Sequence, residues 1–257
     1  MTKLHKLPST PPDTLSRKDA EKATKAYAKK IGDLQYRLLA QNKYNLLVIF
    51  QGMDASGKDG AVKNVFHYCT HNGIRVYSFK KPTDEEFAHD FLWRVHKQVP
   101  KKGEVVIFNR SHYEDILIQW VHGWIDDAKR DDRMKAINNF ESLLAQDNHT
   151  IILKFYLHLS KDEQKIQLTQ RLEEPTKRWK HNDNDWKERQ FWDKYMDAYE
   201  YVLDHSDIPW HIIPVDKRWY RDYLVSKTLA EKLENLDLTL PFEDDDEFAS
   251  KLTQLQS

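Results

Sequence analysis

The sequence is poor in several residue types, and each shortage narrows what the protein can be. Its single cysteine, Cys69, excludes an intrachain disulfide and a cysteine-rich metal cluster. With only 7 Gly and 9 Pro among 257 residues, long flexible linkers are not expected. No apolar run reaches the roughly 18–20 residues that a membrane helix needs, and the first residues lack a signal-peptide stretch. We therefore expect a soluble, cytoplasmic protein without a membrane partner.

A net charge is also nearly absent. The 40 Lys and Arg residues are balanced by 41 Asp and Glu residues, which leaves a net charge of −1. Nucleic-acid-binding proteins usually carry a positive excess, so nucleic acid is not an expected partner, and any polyanion site must be a local concentration of cations. Aromatic residues make up 12% of the chain and provide apolar surface for a substantial core. Because nothing in the composition forces a division, we expect residues 1–257 to form one domain.

Short apolar segments alternate with amphipathic segments along the chain. The pattern predicts strands over 46–51, 74–79, 105–108, 150–157 and 208–215. It predicts a helix capped by Ser16 and further helices over 58–71, 83–98, 112–126, 131–146, 161–173, 185–205 and 219–236. This alternation is typical of an α/β fold, with a parallel central sheet of about five strands and helices on both faces. We expect residues 1–15 to form an irregular arm and residues 237–257 a solvated acidic tail.

The most informative segment runs from Gly52 to Asp59 and follows the first apolar strand. It matches a phosphate-binding P-loop at every position but the last, because its glycines let backbone N–H groups wrap a phosphate and Lys58 adds a positive charge. The last position, where Ser or Thr normally holds Mg²⁺, is Asp59. Together with Asp54 it puts two carboxylates into an anion-binding loop. This indicates that a divalent cation, Mg²⁺ or alternatively Mn²⁺, belongs to the site.

A second segment, residues 109–115, follows the third strand. In P-loop folds the end of this strand commonly supplies a carboxylate toward Mg²⁺, and here the residue is Asn109. Asp54, Asp59 and Glu114 could supply the missing oxygen ligand. Arg110 would direct a planar, permanently charged guanidinium at phosphoryl oxygens. The alternative is a surface arginine paired with Glu114.

Basic residues gather at two further places. Pro175 interrupts a helix, and the region of about residues 171–190 is typical of a helical lid that closes over phosphates; the alternative is a solvated basic loop. This region carries Arg171, Lys177, Arg178 and Lys180. At the same sheet edge as the P-loop we expect a second basic group, formed by Lys63, Lys80, Lys81 and Arg94. A channel lined by both groups suits a long phosphate chain better than a single nucleotide triphosphate.

With these segments in order, the chain resembles the polyphosphate kinase 2 family, P-loop kinases that use inorganic polyphosphate as phosphoryl donor. The resemblance runs from about Leu34 to Leu236 and rests on residues 52–60, 109–115, 171–180, 192–195, 209–210 and 216–218. Asp59 departs from the general P-loop pattern but agrees with that of this family. The form of residues 109–115 is similar to class III, which implies conversion of AMP to ADP and of ADP to ATP, with Glu114 connected to acceptance of monophosphates. The resemblance also implies a three-layer P-loop kinase fold and a homodimer or homotetramer.

These motifs and the resemblance suggest a role for each residue of the expected site. Lys58 and the P-loop amides hold phosphates, while Arg110 and Arg171 stabilise charge on the transferred group. Mg²⁺ is expected at Asp54, Asp59, Asn109 and Glu114. The expected catalytic residues are Asp54, Lys58, Asp59, Arg110, Glu114 and Arg171. The expected residues for polyphosphate and nucleotide phosphates are Gly52, Ala55, Ser56, Gly57, Lys58, Lys63, Lys80, Lys81, Arg94, Asn109, Lys177, Arg178 and Lys180.

Two other functions fit part of the sequence. An ATP-dependent nucleotide or small-molecule kinase would explain the P-loop and the lid, but it explains less well the acidic Asp59 and the wide spread of cations. A non-enzymatic polyanion or nucleic-acid binder would explain the cations. The near-neutral net charge and the paired carboxylates inside the phosphate loop argue against that function.

Overall fold

A parallel sheet forms the centre of the protein. The computed structural model describes residues 1–242, together with residues 251 and 255. Within this part of the chain the strands are Asn45–Gln51 (β1), Ile74–Ser78 (β2), Val105–Asn109 (β3), Thr150–His158 (β4) and Trp210–Pro214 (β5). They pair in parallel in the order β2-β3-β1-β4-β5. The carboxyl ends of all these strands therefore meet at one edge of the sheet.

Helices cover both faces of this sheet. Their bounds are Arg17–Gln41 (α1), Lys58–Val65 (α2), Asp84–Ala88 (α3), Trp93–His96 (α4), Glu114–Val121 (α5), Asp127–Asp147 (α6), Lys161–Glu173 (α7), Asp183–Glu188 (α8), Trp192–His205 (α9) and Arg218–Glu234 (α10). One face packs against α1, α2 and α10, and the other against α5, α6 and α9. Within the described residues, none of the helices combines the length and apolarity that a bilayer crossing needs.

The predicted three-layer α/β fold is confirmed, and the reason lies in the central strand. Every residue of β1 is buried. Val48 and Phe50 pack toward α1, α2 and α10, whereas Leu47 and Ile49 pack toward α5, α6 and α9. Because successive side chains of a strand point to opposite faces, an unbroken apolar run requires a helical layer on each side.

Three helices that the sequence pattern predicts as continuous are wrong in extent, and those predicted over 112–126 and 131–146 differ at their ends, being Glu114–Val121 and Asp127–Asp147. The helix predicted over 58–71 ends at Val65, and Gln35 on α1 accepts the Thr70 N–H at 3.0 Å. The helix predicted over 83–98 is divided into α3 and α4, and between them the Asp90 carboxylate accepts the Leu92 N–H at 3.0 Å. The helix predicted over 185–205 is divided into α8, a 3-10 turn and α9. At the first two places, side-chain acceptors replace the helical hydrogen bonds.

The N-terminal arm has little regular structure but is anchored to the body of the protein. Within residues 1–15 the helical segment is a single 3-10 turn, Leu4–Lys6. Leu4 is fully buried, and its N–H donates to Glu200 Oε1 at 2.8 Å. Ser9 Oγ donates to Asp216 Oδ2 at 2.7 Å. The tail predicted as solvated over 237–257 is wrong at Leu238, which is buried in the core with residues of α1 and α10. The acidic run at residues 243–247 lies outside the described residues.

Gly32 in α1 is expected not to tolerate alanine. Alanine is about 1 kcal/mol more favourable than glycine inside a helix, but a Cβ atom at residue 32 would lie 2.6 Å from the Tyr68 carbonyl oxygen. Because that atom belongs to the backbone, α1 or the loop after α2 must move. We expect Gly32→Ala to lower the free energy of unfolding, measured by urea denaturation, by about 1–3 kcal/mol. Lys25→Ala, on the exposed side of α1, is the control and should change it by less than about 0.5 kcal/mol; a fully stable Gly32→Ala protein would contradict this packing.

Candidate active site

The P-loop joins the end of β1 to the start of α2. Its backbone is left-handed at Ala55 and Gly57, with φ angles of 69° and 87°. A Cβ atom at Gly57 would lie 2.1 Å from Nη1 of Arg221, a buried arginine on α10 that donates to the Gly57 carbonyl at 3.0 Å. Glycine is therefore required at this position both by the backbone conformation and by the close approach of the guanidinium.

Lys58, the lysine of the loop, is buried and its side chain turns back toward the loop backbone. Its Nζ donates to the carbonyl oxygens of Gly52 at 2.8 Å and Met53 at 3.2 Å. Burial, together with the neighbouring charge of Arg110, lowers the pKa of Lys58 to about 8. The loop thus holds an ammonium group that loses its charge at moderately alkaline pH.

An ion pair joins the P-loop to the segment after β3. Phe50 on β1 lies opposite Asn109 on β3 in the parallel register, so the two strands end side by side. Arg110 follows with a left-handed backbone, φ 61°, and its Nη2 pairs with the Asp54 carboxylate. Burial alone would raise the pKa of Asp54, but nearby cations, Arg110 foremost, hold it below its ordinary value. The carboxylate that Arg110 pairs with is therefore Asp54, not Glu114.

The other acidic residues expected at the site accept hydrogen bonds from amides. Asp59 Oδ1 accepts from Asn109 Nδ2 at 2.6 Å, and Glu114 Oε1 accepts from Gln51 Nε2 at 3.0 Å. Over residues 1–242, 251 and 255, there is no group of three or more His, Cys, Asp or Glu side chains placed to hold a metal ion. A divalent cation held here would draw several of its ligands from water and phosphate, as Mg²⁺ commonly does.

The lid region is connected to the P-loop by polar contacts. Arg171, at the end of α7, donates to Asp185 Oδ2 on α8 at 2.5 Å. On α7, Gln164 Nε2 donates to the Asp54 carbonyl at 3.0 Å, and Gln164 Oε1 accepts from Arg189 Nη1 at 2.8 Å. Burial and the nearby charge of Asp54 raise the pKa of Asp185. Gln164 on α7 thus connects Arg189 of the predicted lid to Asp54, the loop residue that pairs with Arg110.

These elements enclose a cleft of about 780 Å³ at the carboxyl edge of the sheet. Among the described residues that line it, ten are Lys or Arg and three are Asp or Glu. The cleft is therefore strongly cationic, although the whole chain is nearly neutral. The predicted site residues that line it are Asp54, Ala55, Ser56, Gly57, Lys58, Asp59, Lys63, Lys80, Lys81, Asn109, Arg110, Arg171, Lys177 and Lys180.

Four predicted site residues, all in the described part of the chain, lie outside this lining. Arg94 is buried, donates to the Lys80 carbonyl at 2.8 Å and pairs with Asp115 at 3.2 Å. The prediction that Arg94 lines the cationic channel is therefore wrong. Arg94 instead supports the backbone of Lys80, which does line the cleft. Arg178 Nε donates to the Leu172 carbonyl at 3.0 Å. The other two are Gly52, whose carbonyl accepts from the P-loop lysine, and Glu114.

Two arginines line the cleft without having been predicted there. Arg218 and Arg221 lie in the first turn of α10, directly after β5. Their spacing of three residues places them on one face of the helix. Because ligands gather beyond the carboxyl ends of parallel strands, two arginines at this spacing after the last strand are a signal that could have identified them.

Proteins of known family resemble this chain over most of its length. The family model described as Polyphosphate kinase 2 (PPK2) matches residues 14–240. The chain is 47% identical over 216 residues to an AMP/ADP-polyphosphate phosphotransferase of Meiothermus ruber, covering 83% of this chain and 80% of that protein. It is 41% identical over 227 residues to an ADP-polyphosphate phosphotransferase of Rhodopseudomonas palustris, covering 82% and 78%.

A solved structure gives the same result for the fold. The crystal structure of polyphosphate kinase 2 from Arthrobacter aurescens superposes with a TM-score of 0.94 at 40% identity, covering 100% of this chain and 93% of that one. A second crystal structure, of a putative polyphosphate kinase 2 from Pseudomonas aeruginosa, has a TM-score of 0.83 at 26% identity, and covers 90% of this chain and 50% of that one. Sequence and fold thus agree that the protein belongs to the polyphosphate kinase 2 family.

Proposed function

We propose that the protein transfers the terminal phosphoryl group of inorganic polyphosphate to nucleoside mono- and diphosphates, converting AMP to ADP and ADP to ATP. Its membership in the polyphosphate kinase 2 family supports a polyphosphate-dependent nucleotide kinase. The name of the Meiothermus ruber relative includes both AMP and ADP, whereas that of the Rhodopseudomonas palustris relative includes ADP alone. Use of the monophosphate is therefore the part of the proposal that depends most on this chain's own residues.

The observation that carries the proposal is the charge of the cleft. Ten basic side chains line it against three acidic ones, in a protein whose net charge is −1. They come from the P-loop, from α2, from the loops after β2 and β3, from the predicted lid and from α10, so the cations are spread along the cleft. A linear polymer with a negative charge on each phosphate can contact cations spread along a cleft, whereas a single triphosphate reaches fewer of them.

The acidic residues of the cleft fit a divalent cation that is shared with phosphates. Asp54 and Asp59 line the cleft with oxygen ligands, which Mg²⁺ and Mn²⁺ prefer. The lowered pKa of Asp54 keeps its carboxylate ionised at neutral pH. We propose that these two residues hold Mg²⁺, with Asn109 and Glu114 nearby. When bound, the cation would neutralise charge on the reacting phosphoryl oxygens.

The protein's own contribution to the transfer is positioning and charge stabilisation. The P-loop amides and Lys58 hold phosphates beside Asp54. Arg110 and Arg171 pair with Asp54 and Asp185, and phosphoryl oxygens can replace these carboxylates as acceptors for the guanidinium N–H groups. Lysines of the lid close over the phosphates and exclude water. An acceptor phosphate is already ionised near neutral pH, so no strong general base is needed.

Three features beyond the site complete the proposal. Residues 1–257 act as one catalytic domain, with the region of about residues 171–190 as its lid. The chain assembles as a homodimer or homotetramer, as the family resemblance implies. The enzyme works in the cytoplasm, where nucleotides are available.

A coupled assay with AMP, ADP, GMP and GDP against polyphosphate, with and without Mg²⁺, tests the function. Removing an arginine that stabilises the transferred group typically costs about 10³-fold or more in rate, so Lys58→Ala and Arg110→Ala should nearly abolish transfer. Arg37→Ala is the control, because Arg37 pairs with Asp33 on the surface of α1; it should keep the parent rate. Turnover like that of the parent in Arg110→Ala would contradict the assignment.

Glu114→Gln should separate the two acceptors. Glutamine keeps an oxygen that can accept from Gln51, but it removes the charge beside Arg110 and the P-loop. We expect kcat/KM with AMP to fall about 10-fold, the effect of losing a charged hydrogen-bonding group, and kcat/KM with ADP to fall less than about 3-fold. Glu163→Gln makes the same chemical change at a residue that lines the cleft and should leave the AMP-to-ADP ratio unchanged. Equal losses for both acceptors in Glu114→Gln would refute this role.

The pH dependence should report the charge of Lys58. Since its pKa is lowered to about 8, the lysine is charged at pH 7 and mostly neutral at pH 9 in the free protein. The kcat/KM for polyphosphate should therefore fall about 10-fold between these pH values, because kcat/KM reports groups of the free enzyme. The residual activity of Lys58→Ala, measured at raised enzyme concentration, should lack this alkaline decrease, whereas Lys63→Ala, which removes another lysine of the same cleft, should keep it. An unchanged decrease in Lys58→Ala would assign it to a different group.

A further inference from the structure

A buried polar network lies beneath the segment that follows β3. It is formed by Lys154 in the middle of β4, Glu141 on α6, Tyr113 and His112, each at most 1% exposed. Lys154 Nζ donates to Glu141 Oε2 and to Tyr113 Oη, both at 2.7 Å, and Tyr113 Oη donates to Glu141 Oε1 at 2.9 Å. His112 Nε2 lies 3.3 Å from Glu141 Oε1. The proposed transfer uses none of these groups directly.

Stability alone does not account for such a network. Removing an ion pair from water costs several kcal/mol per ion, and apolar residues of the same volume are often at least as stabilising. The surroundings are apolar, since Phe140 and Ile152 belong to the same core. A buried network of hydrogen bonds instead fixes the positions of its members, because each hydrogen bond has one favourable geometry.

The network fixes a short segment whose side chains point in two directions. Tyr113 and His112 enter the network, while Arg110 and Glu114 reach toward the P-loop and Gln51. The left-handed backbone of Arg110 is unfavourable for a non-glycine residue, and such a conformation persists only where the surroundings determine it. The buried residues of this segment are therefore its anchor.

We propose that Tyr113, held by Glu141 and Lys154, is a positioning residue for Arg110; this inference rests on the proposed function. The Tyr113 hydroxyl does not touch the transferred group. It holds the segment after β3 in the position from which the Arg110 guanidinium pairs with the Asp54 carboxylate. A displacement of about 1 Å at a catalytic group, caused by a change away from the chemistry, can cost about 10²-fold in rate.

Tyr113→Phe tests this by removing the hydroxyl while keeping the ring. The matched control is Tyr156→Phe, because Tyr156 is an equally buried tyrosine of the same core, and its hydroxyl contacts Met196 Sδ at 3.8 Å. We expect Tyr113→Phe to lower kcat by about 10- to 100-fold while the KM for polyphosphate changes less than about 3-fold. Tyr156→Phe should keep kcat within about 2-fold of the parent. Thermal unfolding of each variant verifies that it is folded at the assay temperature.

A double-mutant cycle with Arg110→Ala distinguishes positioning from a general loss of structure. If Tyr113 acts through Arg110, adding Tyr113→Phe to Arg110→Ala should change the rate little. We expect the residual rates of Arg110→Ala and of the double variant, both measured at raised enzyme concentration, to differ by less than about 3-fold. The same large loss in both backgrounds, or no loss of kcat in Tyr113→Phe alone, overturns the proposal. Glu141→Gln replaces Tyr113→Phe if the latter does not fold, and failure of both to fold also overturns it. A parent protein that transfers no phosphate would instead reject the proposed function before any variant is compared.

Discussion

The parallel pairing of β1 with β3 is the constraint on which the candidate site depends. Phe50 on β1 is paired with Asn109 on β3. The P-loop and the segment after β3 therefore begin side by side at the carboxyl edge of the sheet. Arg110 can then pair with Asp54, although the two residues are 56 positions apart in the sequence. β4 pairs with the other side of β1 and leads into α7, which brings Arg171 to the same edge. Parts of the chain that are distant in sequence thus form one cationic cleft because their strands run in the same direction.

This concentration of positive charge is stable because carboxylates lie between the cations. Asp54 pairs with Arg110, and Asp185 pairs with Arg171, while Lys58 is surrounded by backbone carbonyls of its own loop. The lowered pKa of Lys58 shows how strongly burial and Arg110 act on a neighbouring ammonium group. A polyanion would favour the charged form of each of these basic groups, so binding and charge state are coupled.

The P-loop is also supported by residues that lie behind it. Arg221 donates to the Gly57 carbonyl from α10, and Gln164 donates to the Asp54 carbonyl from α7. Gln164 in turn accepts from Arg189, which follows α8 in the lid region. A change in the lid can therefore reach the loop through a single glutamine. The backbone geometry of the P-loop is held by side chains from helices on two sides, and rigid binding sites are generally supported in this way.

The amino-acid sequence by itself determined the succession of strands and helices along the chain, the P-loop and the segment with Arg110. It also determined the resemblance to the polyphosphate kinase 2 family. These follow from hydrophobic periodicity and from short motifs, which are local properties of the chain. The tertiary structure decided that Arg94 pairs with Asp115 inside the protein, and that Glu114 faces Gln51. It also brought Arg221 beneath the P-loop and joined Lys154 to Tyr113. The position of a residue in the sequence shows which strand it follows. The direction of its side chain depends on the partners that tertiary packing provides.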